Sequence, residues 1–192
     1  MKKKLERKTK SLIVRPYQAS DYLAWKQAFS TTPPKQNTWD KDERTPDELT
    51  RANFTQLLKE QKNLRTKDVF YTFGVFRKKD GALVGSVNLM DVTRHVFQNA
   101  YLGYRIFNRY WGQGFGKEAV AAAMDIAFKD LNLHRLEAAV EPKNKRSIAL
   151  AKSIGLRKEG LSKKRLLLRG KWVDLLLFVT TTEDQGVRWR NK

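Results

Sequence analysis

The chain has 192 residues, 41% of them hydrophobic, and no cysteine. That length buries a single-domain core, and the missing thiols exclude disulfides, thiolate metal sites and a covalent cysteine intermediate. Lysine and arginine total 39 against 20 aspartates and glutamates, a net charge of +19 with a pI of 10.2, which favours polyanionic neighbours through phosphate contacts and counterion release.

No apolar run approaches the ~18 residues of a membrane span. The opening "MKKKLERKTKSLIVRP" has basic residues but lacks the apolar stretch and cleavage site of a signal peptide. A cytoplasmic protein without a membrane partner is the expectation. Basic residues concentrate in two places. The first ten residues hold six lysines and arginines against Glu6, and residues 143–171 hold eleven against Glu159. A solvated face is the plain reading of such runs; contact with a polyanion is the functional one. The chain divides into a basic tail over 1–10, one domain over 11–183 and a basic tail over 184–192.

In chain order, "SLIVRPY" alternates like a strand. "SDYLAWKQAF" reads as a helix with Ser20 as N-cap. After the turn-rich "TTPPKQNTWDKDER", the segment "TPDELTRANFTQLLKEQ" starts a second helix with Thr45 as cap, Pro46 at the first position and Glu48 at the third. The period then changes. "VFYTFGVFR", "ALVGSVNLMDV" and "NAYLGYRIF" are β-rich, the first two joined by the hairpin signal "KKDG". "KEAVAAAMDIAFKDL" puts Val120, Ala123, Ala127 and Leu131 on one helical face. "RLEAAV" is a strand, "NKRSIALAKSIG" a helix from Asn144 to a C′ residue at Gly155, and "KKRLLLRGKWVDLLLFVTT" two strands around "RGK". The order β-α-α-β-β-β-α-β-α-β-β is an α/β (α+β) pattern, a mixed sheet with helices on its faces.

Between the third β-rich run and its helix lies "NRYWGQGFGKEAV". Glycines before a helix N-terminus expose backbone amides to an anion. A P-loop needs G-x-x-x-x-G-K-[ST]; Gly116 and Lys117 supply G-K, but Trp111 and Glu118 occupy the other positions, so that pattern fails. A dinucleotide fingerprint matches at Gly114, Gly116 and Ala119, with Glu137 placed as a ribose ligand. Too little chain follows Glu137 for the rest of a doubly wound domain.

"YWGQGFGKEAV", followed by "NKRSIALAKSIGLRKEG", resembles the GNAT family of N-acetyltransferases, and with "LGYRIFNRYWGQGFGKEA" and "RGKWVDLLLFVTT" most resembles its RimJ/RimL branch of ribosomal-protein N-terminal acetyltransferases. The resemblance covers nearly the whole chain. It implies the GNAT fold, a central, mostly antiparallel twisted sheet flanked by helices, and acetyl-CoA as co-substrate. It also implies that the loop amides of Gly112, Gln113, Gly114, Phe115, Gly116 and Lys117 hold the pyrophosphate. Backbone of Tyr104, Arg105, Ile106 and Phe107 would pair with the pantetheine amides, and Asn144 would contact the pantetheine arm. Trp111 departs from the glutamine or arginine of many relatives. Ala151 stands where many relatives carry a tyrosine acid, and Ser147 matches the serine proposed for that role in RimL-like enzymes.

Acetyl transfer needs a positioned thioester, a neutral amine and a proton for the leaving thiolate. Without cysteine, direct attack by the amine is the economical route. Asn144 and Ser147 share a helix face, although each by itself is also an ordinary cap or polar helix residue. Glu141 and Asp174 are the candidate bases, with a surface or hairpin ion pair as the alternative for each. His95 and His134 show no ligand spacing, so no metal is expected. The acceptor is expected to be a protein N-terminus, on a ribosomal protein of the alanine or serine type, with Trp39 near the acceptor groove. A small amine (polyamine or aminoglycoside) is the rival acceptor, with the acidic "WDKDERTPDE" in its favour. A GNAT-fold ribosome- or RNA-binding protein with little catalysis is the alternative.

Overall fold

The structure is a computed structural model that describes residues 5–31, 33–36, 38–40, 44–168 and 170–190. The lysines at 2–4, Arg169 and most acidic residues of the stretch before the second helix (41–43) lie outside the described residues.

Eight strands form one sheet in the order β1-β2-β3-β4-β5-β6-β8-β7. They are β1 (Arg7–Lys8), β2 (Leu12–Arg15), β3 (Tyr71–Arg77), β4 (Leu83–Thr93), β5 (Asn99–Ile106), β6 (Arg135–Val140), β7 (Arg157–Leu168) and β8 (Lys171–Thr181). Every neighbouring pair is antiparallel except β5 and β6, which are parallel. The helices are α1 (Tyr22–Ser30), α2 (Arg51–Thr66), α3 (Phe115–Asp125, continued by a π turn over Ile126–Asp130) and α4 (Lys145–Ser153). This is the mixed, mostly antiparallel sheet that the alternating pattern predicts, with one two-residue strand more: Arg7 and Lys8 pair with Val14 and Ile13.

Each face of the sheet has its own core. On one, α3 and α4 pack Val120, Ala123, Ala127 and Ala151 against Val75, Val87, Leu102, Leu136 and Phe178. On the other, Trp25 of α1 and Phe54 of α2 meet at 5.1 Å between ring centroids, over Phe76, Leu83 and Phe107. Truncating a buried aromatic such as Phe54 to alanine costs about 3–5 kcal/mol.

Two helix starts differ from the sequence reading. Ser20 does not cap α1. It sits in a 3-10 turn over Ala19–Asp21, and the buried Asp21 carboxylate accepts the Gln18 N–H at 2.7 Å and both Arg15 guanidinium nitrogens at 2.7 and 2.8 Å. A carboxylate that can satisfy three donors outcompetes a single serine hydroxyl as the organiser of this turn. The Thr45–Glu48 capping box forms, but around a 3-10 turn over Pro46–Glu48; α2 starts one turn later, where Thr50 accepts from Asn53 N–H. Asn144 caps α4, and Gly155 follows it with φ +83°.

Candidate active site

The two parallel strands diverge. β5 pairs with β6 only where Asn99, Ala100 and Tyr101 face Arg135, Leu136 and Glu137, while its other edge stays paired with β4 as far as Ile106. The Phe107 N–H donates to the Val84 carbonyl at 2.9 Å. Strand alternation therefore turns the backbone of Arg105 and Gly103 toward β4, and that of Leu102, Tyr104 and Ile106 toward the gap. The Ile106 carbonyl there accepts the Trp111 indole N–H at 2.8 Å. Beyond the Tyr101–Glu137 pair the backbone of Tyr104 has no strand partner on this side, so the gap can receive an extended chain that carries its own amides.

At the end of β5 the chain makes a 3-10 turn (Asn108–Tyr110) and enters the glycine loop. Gly112 and Gly114 sit at φ +75° and +78°, and a Cβ on either would meet no atom within 4 Å. The left-handed backbone, rather than crowding, is what requires glycine there. Gly114 caps α3, and the first intrahelical bond is from Glu118 N–H to Gly114. The preceding amides are left to point out of the helix end, where the helix dipole favours an anion. They border a cavity of about 690 Å³ whose wall includes Gly112, Gly114, Gly116 and the cations Lys117, Lys143, Lys145 and Arg146. An extended, amide-bearing ligand with a polyanionic end fits this donor set.

α4 supplies the polar groups of the opposite wall. Asn144 Oδ1 accepts the Ser147 N–H at 3.1 Å, and the Tyr104 hydroxyl donates to the Ser147 carbonyl at 3.2 Å. Burial pushes the Tyr104 phenol above its ordinary range, outweighing the opposite effect of the Ser147 side chain, so it stays a neutral donor. Ser147 lines the cavity, with its side chain beside the Tyr104 hydroxyl. Ala151, one turn further, is fully buried.

A second cavity of about 530 Å³ adjoins the first, sharing Trp39, Asp40, Tyr104, Asn144 and Ser147. Glu141 lines it and accepts the Trp39 indole N–H at 2.7 Å. Leu102, Leu166, Leu168 and Leu175 make its apolar side.

The structure thus brings together Tyr104, Arg105, Ile106, Gly112, Gly114, Phe115, Gly116, Lys117, Asn144, Ser147 and Glu141. Three expected residues stand apart. Phe107 is buried in the α1–α2 core, and the Gln113 amide donates to the Arg109 carbonyl at 3.4 Å, outside the cavity walls. Asp174 lies outside both cavities. Its Oδ1 accepts the Lys164 N–H at 2.8 Å where β7 bulges, with Lys163, Lys164 and Arg165 all opposite Asp174. Sequence reasoning assigns nothing to the Trp111 indole or to the Arg105 side chain; an aromatic directly before a glycine loop is the available signal. His134 contacts Thr182 at 3.1 Å and His95 sits in a turn at φ +56°. Among the described residues no cluster of His, Cys, Asp or Glu could hold a metal ion, and no helix is long and apolar enough to cross a membrane.

Comparison with known proteins agrees with this geometry. The model of the acetyltransferase (GNAT) domain matches residues 11–157. The probable N-acetyltransferase YjcK of Bacillus subtilis is 37% identical over 120 residues, 62% of this chain and 66% of that protein. The [ribosomal protein uS5]-alanine N-acetyltransferase of Escherichia coli is 38% identical over 115 residues, 60% of this chain and 59% of that one. The matched stretch is therefore under two thirds of either relative's length. The crystal structure of the ribosomal-protein-S5-alanine acetyltransferase from Vibrio fischeri superposes with a TM-score of 0.81 at 27% identity, covering 97% of this chain and 99% of that one. A domain match over most of the chain, on a sheet with this parallel gap and glycine loop, settles the family: the chain belongs to the GNAT acetyltransferases.

Proposed function

We propose that the protein transfers the acetyl group of acetyl-CoA to the free α-amine of a protein N-terminus, with a ribosomal protein of the alanine or serine type as acceptor. The observation that carries this reading is the junction of the two cavities at Tyr104, Asn144 and Ser147, with the glycine loop at one end and Glu141 at the other.

Acetyl-CoA supplies an activated acyl carbon on a thiol leaving group. The amides of the Gly112–Lys117 loop and the cations Lys117, Lys143, Lys145 and Arg146 would hold its phosphates, and the Tyr104 backbone with Asn144 its amide-bearing arm. Ser147 would offer its hydroxyl proton to the thiolate. Glu141 has one oxygen on Trp39 and directs the other at the acceptor amine, directly or through water. An α-amine has a pKa of about 8 against about 10.4 for lysine, a difference of roughly 3 kcal/mol in the cost of deprotonation. A plain carboxylate therefore suffices for an N-terminal acceptor and falls short for a lysine.

The test is CoA release over peptides with free Ala, Ser or Met N-termini, an N-blocked lysine peptide and spermidine. Turnover confined to the free N-termini is expected. Turnover of spermidine alone would overturn the acceptor assignment and keep the donor.

A basic face supports ribosomal RNA as a neighbour. Lys152, Lys158, Lys163, Lys164 and Lys171 are exposed and form no ion pair with a described residue, and beside them the cross-strand pair Leu167–Trp172 is exposed. Lysines around an aromatic platform suit a nucleic-acid backbone and its bases. Co-sedimentation with ribosomes that weakens steeply with salt is the expected behaviour; no association at low salt would remove RNA from the proposal.

A further inference from the structure

Arg105 is a cation that the fold leaves without a bonded counterpart among the described residues. Its guanidinium lines the larger cavity, half-buried, 4.8 Å from the Phe107 ring centroid and 5.6 Å from that of Phe29. It makes no hydrogen bond and no ion pair with any described residue. Other partly buried arginines behave differently. Arg15 is held above its ordinary range by hydrogen bonds to Asp21, and Arg135 by Glu159 and Glu137. For Arg105 burial is the dominant influence and lowers the pKa; Asp40 and then Tyr17 act in the opposite sense, and the like charge of Arg44 adds to the lowering. A planar cation carrying several N–H donors, taken partly out of water with no acceptor bonded to it among the described residues, carries a cost that the charge of Asp40 offsets only in part. Two aromatic rings return part of it and fix the plane of the fork. They do not supply an oxygen.

The position of this fork says which ligand would supply one. The Arg105 backbone is bonded toward β4, and its side chain leaves the sheet on the side of Phe29 and Phe107, away from the α3–α4 core. Gln36 and Asp40 line the same part of the cavity. The cations that flank the glycine loop, Lys117, Lys143, Lys145 and Arg146, belong to α3 and to the start of α4 instead. Arg105 thus comes from a different element than the cations around the glycine loop, and its charge neighbour Asp40 lines both cavities.

We propose that Arg105 recognises a carbonyl oxygen of the acceptor peptide next to the reacting amine, which makes this a site for peptides and excludes polyamines. The assignment rests on the N-terminal acetyltransferase reading above. A peptide carries a carbonyl one bond beyond the carbon that bears its α-amine, and a guanidinium fork binds such an oxygen with charge-assisted hydrogen bonds. Spermidine has no oxygen to offer and brings further positive charge toward a cation with no acceptor bonded to it among the described residues. A free amino acid shares the chemistry through its carboxylate, so the acceptor panel has to separate it from a peptide.

The experiment compares the full-length protein with Arg105→Met, which keeps the stem against the rings, and Arg105→Lys, which keeps charge but not the fork. Each is assayed with an Ala N-terminal peptide, free alanine and spermidine, and CoA binding is measured by calorimetry. The expected result is a 10- to 100-fold rise in the peptide KM for Arg105→Met, on the scale of removing one charged hydrogen bond, partial recovery in Arg105→Lys, and an unchanged CoA dissociation constant. An unchanged peptide KM in a wild type that acetylates peptides overturns this inference alone. Weakened CoA affinity instead would reassign Arg105 to the donor. Better turnover of free alanine than of peptide would replace the peptide by an amino acid. A wild type active only on spermidine would overturn this assignment and the N-terminal reading together.

Discussion

The guanidinium of Arg146 lies 3.5 Å from the centroid of the Trp111 ring, and the same indole donates its N–H to the Ile106 carbonyl at 2.8 Å. One aromatic side chain thereby ties the end of β5 to the first turn of α4, across the mouth of the larger cavity. Trp111 departs from the glutamine or arginine that the resemblance to the family implies at this position. Here the positive charge comes from Arg146 and the indole is its platform.

This pair is expected to control donor binding. Trp111→Ala should raise the KM for acetyl-CoA about tenfold, the scale of removing a hydrogen bond together with a cation–π interaction. Trp111→Phe, which keeps a ring under Arg146, should raise it less. Steady-state kinetics with acetyl-CoA varied at saturating acceptor peptide measures both; equal KM for wild type and Trp111→Ala would refute the assignment.

Ser147 lines both cavities, and its backbone is held by Asn144 and Tyr104. Ser147→Ala should leave that backbone frame intact and lower kcat by about 10²-fold, the lower end for loss of a positioned proton donor, with little change in the KM for acetyl-CoA. A melting curve that superposes on the wild type's shows whether the fold has survived. Undiminished kcat would return Ser147 to the role of a polar helix residue.

Glu141 joins the acceptor chemistry to the Trp39 segment through one hydrogen bond of 2.7 Å. Glu141→Gln keeps the acceptor oxygen for Trp39 and removes the base. Peptide turnover should fall at pH 7 and recover as the pH passes the α-amine pKa of about 8, because the substrate then arrives already neutral. A rate–pH profile for both proteins decides it. Parallel profiles would exclude Glu141 as the base.

Glu118, in the first turn of α3, holds the chain before β2: it accepts the Thr9 hydroxyl, and the Ser11 N–H at 2.5 Å. Burial works to raise its pKa, but the combined hydrogen bonds from Thr9, Ser11 and Leu12 outweigh it and the carboxyl lies below its ordinary range. A depressed folded-state pKa means stability that is present above the unfolded value of about 4.3 and is lost as the pH falls through the folded one. Glu118→Gln should lower stability by about 1 kcal/mol at pH 7, a value reduced for partial exposure. Its deficit should shrink on acidification below about pH 4. Denaturant melts at pH 7 and pH 3.5 test this; a deficit of the same size at both would remove the charge from the explanation.

Much of this protein can be read in one dimension. The hairpin at "KKDG", the strand "RLEAAV" and the Asn144 cap lie where their residues put them, because each depends on neighbours a few positions away. The anion-binding end of α3 is equally local, since glycines at positive φ and the amides of a helix start need nothing from elsewhere in the chain. Other local signals yield to tertiary competition. Ser20 gives up its helix start to Asp21 because Arg15, from a neighbouring strand, needs a carboxylate. Asp174 looks like a free acid near the site, and it is spent on the β7 bulge through Lys164, a residue whose register no periodicity reveals.

By itself the sequence determined the order of elements, the glycine loop with its following helix, and the Asn144–Ser147 face. These are short-range matters of backbone preference and side-chain spacing. Only the tertiary structure decided that β5 and β6 part after Tyr101, that Tyr104 reaches Ser147 and that Glu141 meets Trp39. Only there does Arg105 emerge as a cation among aromatic rings with no carboxylate bonded to it among the described residues. Each of these joins residues from separate elements, and such contacts follow from how the two cores set the elements against the sheet, which no local pattern encodes.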